Sequence, residues 1–175
     1  MTVKQKQCLL MFLGYYDGAV DGIWGPKSEA AMKKFLEVYG TEGALRKAVA
    51  EDDRWRGIRY FTREEFACKC GKFCDGYPAQ MQRRVLELAD GAREFFGKPG
   101  IVVSGLRCRE WNRLQGGVEN SQHMYGEAVD LQLQGISAGE LLTYIQKQPG
   151  VRYAYAINEI NVHFDIAKGE RPGVK

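Results

Sequence analysis

Four side chains, His123, Asp130, His163 and Asp165, occupy positions where residues of their kind are uncommon without a task. The segment Ser121-Gln122-His123-Met124-Tyr125-Gly126-Glu127-Ala128-Val129-Asp130 sets a histidine in a turn, then a glycine, then an aspartate inside an apolar strand. A carboxylate buried in a strand is costly unless a cation or several hydrogen-bond donors meet it. The second of the chain's two histidines lies in another such strand, Val162-His163-Phe164-Asp165-Ile166. Two histidines and one carboxylate leave the fourth position of a zinc ion open, as in catalytic rather than structural sites. On the residues alone, a plainer reading stands beside this one, with both histidines in the core and satisfied by hydrogen bonds.

The surrounding pattern indicates how such residues would be positioned. Residues 1–51 read as a small helical unit. Gln5 to Leu13 is a short apolar helix stopped at Gly14, and the turn-rich run Tyr15 to Gly25 leads to Pro26 as first residue of a second helix. Ala31, Met32, Phe35, Leu36 and Tyr39 line one face of that helix, Gly40 ends it, and Glu42 to Glu51 is a third helical stretch. The charged run 52–57 is the expected linker, and residues 58–175 form the second unit. There, Thr62-Arg63-Glu64-Glu65 and Ser137-Ala138-Gly139-Glu140 are capping-box patterns. Gln80 to Phe96 is an amphipathic helix with Met81, Val85, Leu88, Ala92 and Phe95 on its buried face. The helix after Ser137 buries Leu141, Leu142 and Ile145. Strands are expected at 101–104, 127–133, 153–157 and 161–166. The fold class is α+β: a small three-helix N-terminal bundle, then a domain with a small, mainly antiparallel sheet flanked by helices.

With 175 residues, 45% hydrophobic and 11% aromatic, the chain has material for a real core, which argues against disorder or a disulfide-dense miniprotein. No apolar run approaches the ~18–20 residues of a membrane span. A balance of 25 basic against 22 acidic residues, net +3, is too slight to indicate nucleic acid. The N-terminus has Lys4 and Lys6 before the apolar run Cys8 to Leu13, but no small-x-small cleavage site follows, so it reads as mature sequence. The five cysteines are Cys8, Cys68, Cys70, Cys74 and Cys108. Cys68-Lys-Cys70-Gly-Lys-Phe-Cys74 invites a zinc-knuckle reading, with Cys108 a source of the fourth ligand. Reduced thiols, or one disulfide reaching Cys108, are the alternatives.

Residues 58–175 resemble the zinc D-alanyl-D-alanine carboxypeptidase/endopeptidase family, which includes vancomycin-resistance D,D-dipeptidases and phage endolysin peptidases and is related to the metal-binding fold of Hedgehog domains. The matching motifs are Ser104-Gly105-Leu106-Arg107-Cys108, Ser121-x-His123-x-x-Gly126-x-Ala128-x-Asp130 and Val162-His163-Phe164-Asp165. The resemblance implies one catalytic zinc ion held by His123, Asp130 and His163, and peptide-bond hydrolysis as the reaction. It places Arg107 where a guanidinium can stabilise a developing oxyanion. Ser121 either hydrogen-bonds substrate or caps the turn that presents His123, and Tyr125 is the other candidate for substrate contact. Residues 5–40 resemble a three-helix peptidoglycan-binding domain through Leu13-Gly14, Asp21-Gly22-Ile23-Trp24-Gly25 and the Ala31 to Phe35 helix.

The general base departs from the family pattern. Many relatives carry a glutamate three residues before the last histidine, but Ile160 holds that position here and Glu159 lies four before. Four residues of extended strand span about 13 Å, so Glu159 reaches a zinc site only if 158–161 forms a turn, which its asparagines favour. Glu159 is preferred on that basis. Asp165 is the alternative, either orienting His163 or accepting the proton.

The expected protein is therefore an endolysin-like peptidoglycan hydrolase, a monomer that engages neither nucleic acid nor membrane. It would be cytoplasmic at synthesis and act on the wall after release. The alternatives are a non-catalytic zinc-containing wall-binding protein and a cytosolic D,D-dipeptidase.

Overall fold

The computed structural model describes residues 1–45, 53–71, 73–74 and 80–166. Helix α1 (Val3–Phe12) opens with a reciprocal capping box: Thr2 Oγ1 accepts the Gln5 amide and Gln5 Oε1 accepts the Thr2 amide. It ends at Leu13, with Gly14 at φ 81°. Helix α2 (Pro26–Tyr39) starts on its proline and ends on Gly40 in the left-handed region. Cys8, Leu9, Leu10 and Leu13 pack with Ala31, Met32 and Phe35. Leu36 and Tyr39, expected on the buried face, are over a third exposed; Leu36 lies at the margin of the buried stripe Ser28, Ala31, Met32 and Phe35, and Tyr39 stacks on Phe35. Of the third helical stretch, Thr41 to Leu45 makes a single turn, and residues 46–51 lie outside the described residues.

Gln7 organises the loop between α1 and α2. It is fully buried, its side-chain NH2 meets Tyr16 Oη, Asp21 Oδ1, the Ile23 carbonyl and Ser28 Oγ, and its Oε1 accepts the Gly22 amide. Gln7→Leu should destabilise the protein by about 1–3 kcal/mol, because several buried polar groups lose their partner at once. Urea denaturation checks this; an unchanged midpoint would mean that water replaces the amide.

The second unit is built on a four-stranded antiparallel sheet in the order β1-β2-β4-β3, with β1 Gly100–Ser104, β2 Ala128–Leu133, β3 Val151–Ala156 and β4 Val162–Ile166. Helix α3 (Arg83–Phe96) and helix α5 (Ala138–Gln146) pack on it, the latter opened by the Ser137/Glu140 capping box. A short helix α4 (Arg109–Leu114) and a 3-10 turn (Gln122–Tyr125) lie in the β1–β2 connection. The fold is α+β, as the interleaved pattern implies.

Alternation divides the two central strands. Val129, Leu131 and Leu133 of β2 and Val162, Phe164 and Ile166 of β4 join the core. Asp130 and His163, directly paired across the ladder, take the opposite face. That face is also covered, so β4 is buried throughout. On α3 the buried residues are Val85, Leu86, Leu88, Ala89, Asp90 and Ala92. Phe95, expected among them, is two-thirds exposed and stacks on Tyr144 of α5. Phe96 packs against the core in its place, because it continues the Val85, Ala89 and Ala92 stripe while Phe95 lies at the margin.

Part of the expected linker is packed. Asp53–Trp55 forms a 3-10 turn, with Trp55 edge-on to Phe66 and Arg54 donating to the Met81 carbonyl. Residue 52 lies outside the described residues, as do 167–175. Arg109 reaches the Asp17 carbonyl at 2.7 Å, joining the second unit to the loop after α1. No helix among the described residues is long and apolar enough to cross a membrane.

Candidate metal centre

Three segments converge on one point of the site face. The 3-10 turn Gln122–Tyr125 supplies His123, β2 supplies Asp130 and β4 supplies His163. The turn holds its position through Gly126, at φ 67°, where a Cβ would come within 2.2 Å of the Gln80 carbonyl oxygen. Only glycine meets both conditions. Gly105 likewise lies against the Phe66 backbone, 2.5 Å from where a Cβ would stand, and its carbonyl sits 2.7 Å from His123 Nδ1. His123 Nδ1–H donates to that carbonyl, which leaves Nε2 with a free lone pair.

His123 Nε2 lies 3.3 Å from both His163 Nδ1 and Asp130 Oδ1, and His163 Nδ1 is 2.7 Å from Asp130 Oδ1. Donors about 2.0–2.1 Å from a tetrahedral zinc ion stand roughly 3.3 Å from each other. Two of the three separations have that value, and the third is drawn short by the hydrogen bond between His163 and Asp130. The donor set, its burial and its geometry all fit zinc.

A second ring of residues orients the donors. Arg107 Nη2 donates to Asp130 Oδ2 at 2.6 Å and its Nε to Ser104 Oγ at 2.7 Å. Asp165 Oδ2 stands 3.8 Å from His163 Nε2 and is gripped by Arg152, Nε to Oδ1 at 3.0 Å and Nη2 to Oδ2 at 2.5 Å. Carboxylates behind ligating histidines set their tautomer and orientation. Two β-bulges bring these residues in. The β1 ladder slips between Val102 and Ser104, setting Ser104 opposite Asp130; the β3 ladder slips between Val151 and Tyr153, turning Arg152 toward Asp165.

Burial lowers the His123 pKa, with Asp130 opposing the shift. The two histidines hold the Asp130 carboxyl well below the usual range in spite of its burial. Both groups therefore bind fewer protons folded than unfolded. Stability should rise with pH through each window and be lost on acidification, first as pH falls below about 6.5. Denaturant unfolding of the metal-free protein at pH 7.5 and 5.5 checks this, the lower pH giving the lower midpoint. Zinc affinity should fall in the same direction, since protons compete for the same lone pairs.

The donors open into a cleft of about 360 Å³, also lined by Arg107, Ser121, Gln122, Arg152, Tyr153, Tyr155 and Asp165. Of the residues expected at the site, His123, Asp130, His163, Arg107, Asp165 and Ser121 thus meet there. Tyr125 and Glu159 are not among the described residues lining the cleft. Glu159 lies exposed in the β3–β4 turn, which Asn158 Oδ1 closes on the amides of Ile160 and Asn161, and its carbonyl accepts the Ala138 amide of α5. Asn112 is buried and donates to the Val118 carbonyl, shaping the cleft's rim.

Arg152, Tyr153 and Tyr155 were not legible as site residues. Strand alternation would put Arg152 opposite the two tyrosines, and only the bulge brings all three to one side. Tyr155 packs against the His163 ring at 4.9 Å.

A family model for peptidase M15 matches residues 59–165. The zinc D-Ala-D-Ala carboxypeptidase of Streptomyces albus G is 30% identical over 127 residues, covering 65% of this chain and 49% of that enzyme. The chain thus spans about half the length of this curated relative. These likenesses imply a zinc cofactor, for which His123, Asp130 and His163 are the candidate ligands. With its motifs, its paired site strands and the match over residues 59–165, the chain belongs to the peptidase M15 family.

Proposed function

We propose that this chain is a zinc peptidase that cleaves stem-peptide bonds of bacterial peptidoglycan, of endolysin type, with residues 1–51 holding the wall. The observation that carries the reading is the His123, Asp130 and His163 donor triangle opening into a polar cleft. Likeness to a D-Ala-D-Ala carboxypeptidase supports the substrate class. Bound at this triangle, zinc would supply Lewis acidity to a scissile carbonyl and to water.

The protein's own residues then have separate tasks. His123, oriented by the Gly105 carbonyl, and His163, backed by Asp165, would hold the ion together with Asp130. Arg107 holds Asp130 in place through a 2.6 Å hydrogen bond and lies in the cleft where a developing oxyanion can be met. Ser121 lines the cleft for substrate, and Tyr125 is assigned to substrate through its motif alone. Besides Asp130, Asp165 is the carboxylate among the described cleft residues, and proton handling is assigned to it rather than to the exposed Glu159.

Single variants separate these roles. Glu159→Ala should retain activity within about threefold, since a group off the reaction path contributes little transition-state energy. Asp165→Asn should weaken zinc binding by about 10–100-fold. If Asp165 also carries a proton, kcat stays depressed at saturating zinc; full recovery would limit it to orienting His163. Loss of activity in Glu159→Ala would return the base to the β3–β4 turn.

The reading as a whole is tested by incubating the protein with purified sacculi and identifying released fragments by mass spectrometry, with and without chelator. Zinc-dependent release of stem-peptide fragments is expected, and their masses name the bond. Binding to sacculi without release would favour a non-catalytic wall-binding protein. Cleavage of soluble D-Ala-D-Ala with intact sacculi untouched would favour a dipeptidase. Residues 1–51 should be dispensable for cleaving a soluble peptide yet needed at low enzyme concentration on sacculi, because tethering raises effective concentration.

A further inference from the structure

Away from the donor triangle, the sulfurs of Cys68, Cys70, Cys74 and Cys108 all lie within 4.8 Å of one another, with Cys70 and Cys74 at 3.2 Å. We propose that these four cysteines bind a second, structural zinc ion. A tetrahedral tetrathiolate site, with Zn–S near 2.3 Å, puts its sulfurs roughly 3.8 Å apart, within the range that the cluster spans. Disulfides require sulfurs in pairs, whereas here four converge on one point. Three of the cysteines are buried and Cys68 is partly so. Cys68 Sγ also accepts the Cys108 amide at 3.3 Å. A thiolate ligand uses such a donor better than a neutral thiol does.

The placement gives the ion a function. Residues 67–74 form no helix or strand among those described, and the cluster ties them to the segment that follows β1. That segment delivers the Gly105 carbonyl to His123 and Arg107 to Asp130, and Cys108 follows directly. The Leu106 amide already bonds the Phe66 carbonyl at 2.8 Å, so the ion would lock an existing junction. On binding, each thiol gives its proton to solvent. Cys8 of α1 is also a buried free thiol but lies outside the set of four.

The test is metal counting on the full chain purified under reducing conditions. Wild type should hold two zinc ions, His123→Ala one and Cys70→Ser one, while Cys8→Ser keeps two. Should Cys70→Ser fail to fold, titration of wild type with an organomercurial decides, as zinc release should track modification of four thiols. Cobalt substitution gives an independent signature: a thiolate-to-metal charge-transfer band that persists in His123→Ala, which a histidine–carboxylate site cannot produce. A single zinc in wild type that His123→Ala removes, with no thiolate band, overturns the proposal, as does a Cys70–Cys74 disulfide in non-reducing peptide maps. Failure of the catalytic reading looks different: sacculi stay intact while the thiolate band remains.

Discussion

His123→Ala is expected to abolish zinc binding at the cleft and to lower release of wall peptides by at least about 10³-fold. The size follows from the donor count. Three protein ligands hold a catalytic zinc, and with two the ion competes poorly against water and chelators. The imidazole also does more than ligate, since it bonds the Gly105 carbonyl at 2.7 Å through Nδ1 and packs against His163. Its removal leaves that carbonyl and part of Asp130 without partners, costing about 1–3 kcal/mol of stability. Activity must therefore be measured per folded molecule, with thermal unfolding and zinc content determined on the same preparation. A folded His123→Ala protein that keeps zinc in the cleft and activity would refute the metal centre.

Arg107→Ala should have the next largest effect, because Arg107 and Asp130 form a buried pair. Their side chains are 14% and 7% exposed, and the Nη2–Oδ2 distance is 2.6 Å. Removing one partner of such a pair typically costs about 3–5 kcal/mol. Zinc bound to Asp130 would offset part of that, so the metal-free variant should suffer more than the loaded one. Zinc affinity should drop about 10–100-fold, as for other groups that support a ligand. Lysine is expected to be a poor substitute: it retains the charge but lacks the fork that meets Asp130 and Ser104 together. Kinetics at saturating zinc divide the two roles. If kcat recovers, Arg107 acts only through Asp130; if kcat stays low, its guanidinium also serves the reacting carbonyl.

Much of this site can be read in the sequence because its donors sit in short motifs. A histidine, then glycine three residues on, then aspartate in an apolar strand is a local pattern, and strand alternation places His163 and Asp165 on one face without reference to the rest of the chain. Terminal glycine and capping box, which act within a few residues, mark the helix ends at Gly40 and Ser137. By contrast, α1 starts at its Thr2 cap, before the expected Gln5, and the Thr62 pattern forms only the half in which Glu65 accepts the Thr62 amide. The expectations that failed lie at the margins of faces. Leu36 and Phe95 stand beside Phe35 and Phe96, which pack in or against the core, at the edge of their helices' buried stripes, and Tyr39 stacks on Phe35 while staying over a third exposed. Period reports a face, whereas burial depends on what arrives from elsewhere.

The residue types alone determined that this chain carries two histidines and an aspartate suited to zinc, within an α+β unit preceded by helices. Tertiary structure decided the rest. The β1 and β3 bulges turn Ser104 and Arg152 toward the site, and no local pattern announces a slipped ladder. The β3–β4 turn leaves Glu159 exposed, while Asp165, pinned by Arg152, comes to stand behind His163. Four cysteines separated by as many as 40 residues come together because Cys108 follows a strand that packs beside the 66–74 segment. Chemistry is a property of side chains and can be read one residue at a time, but distance between them is set by the path of the whole chain.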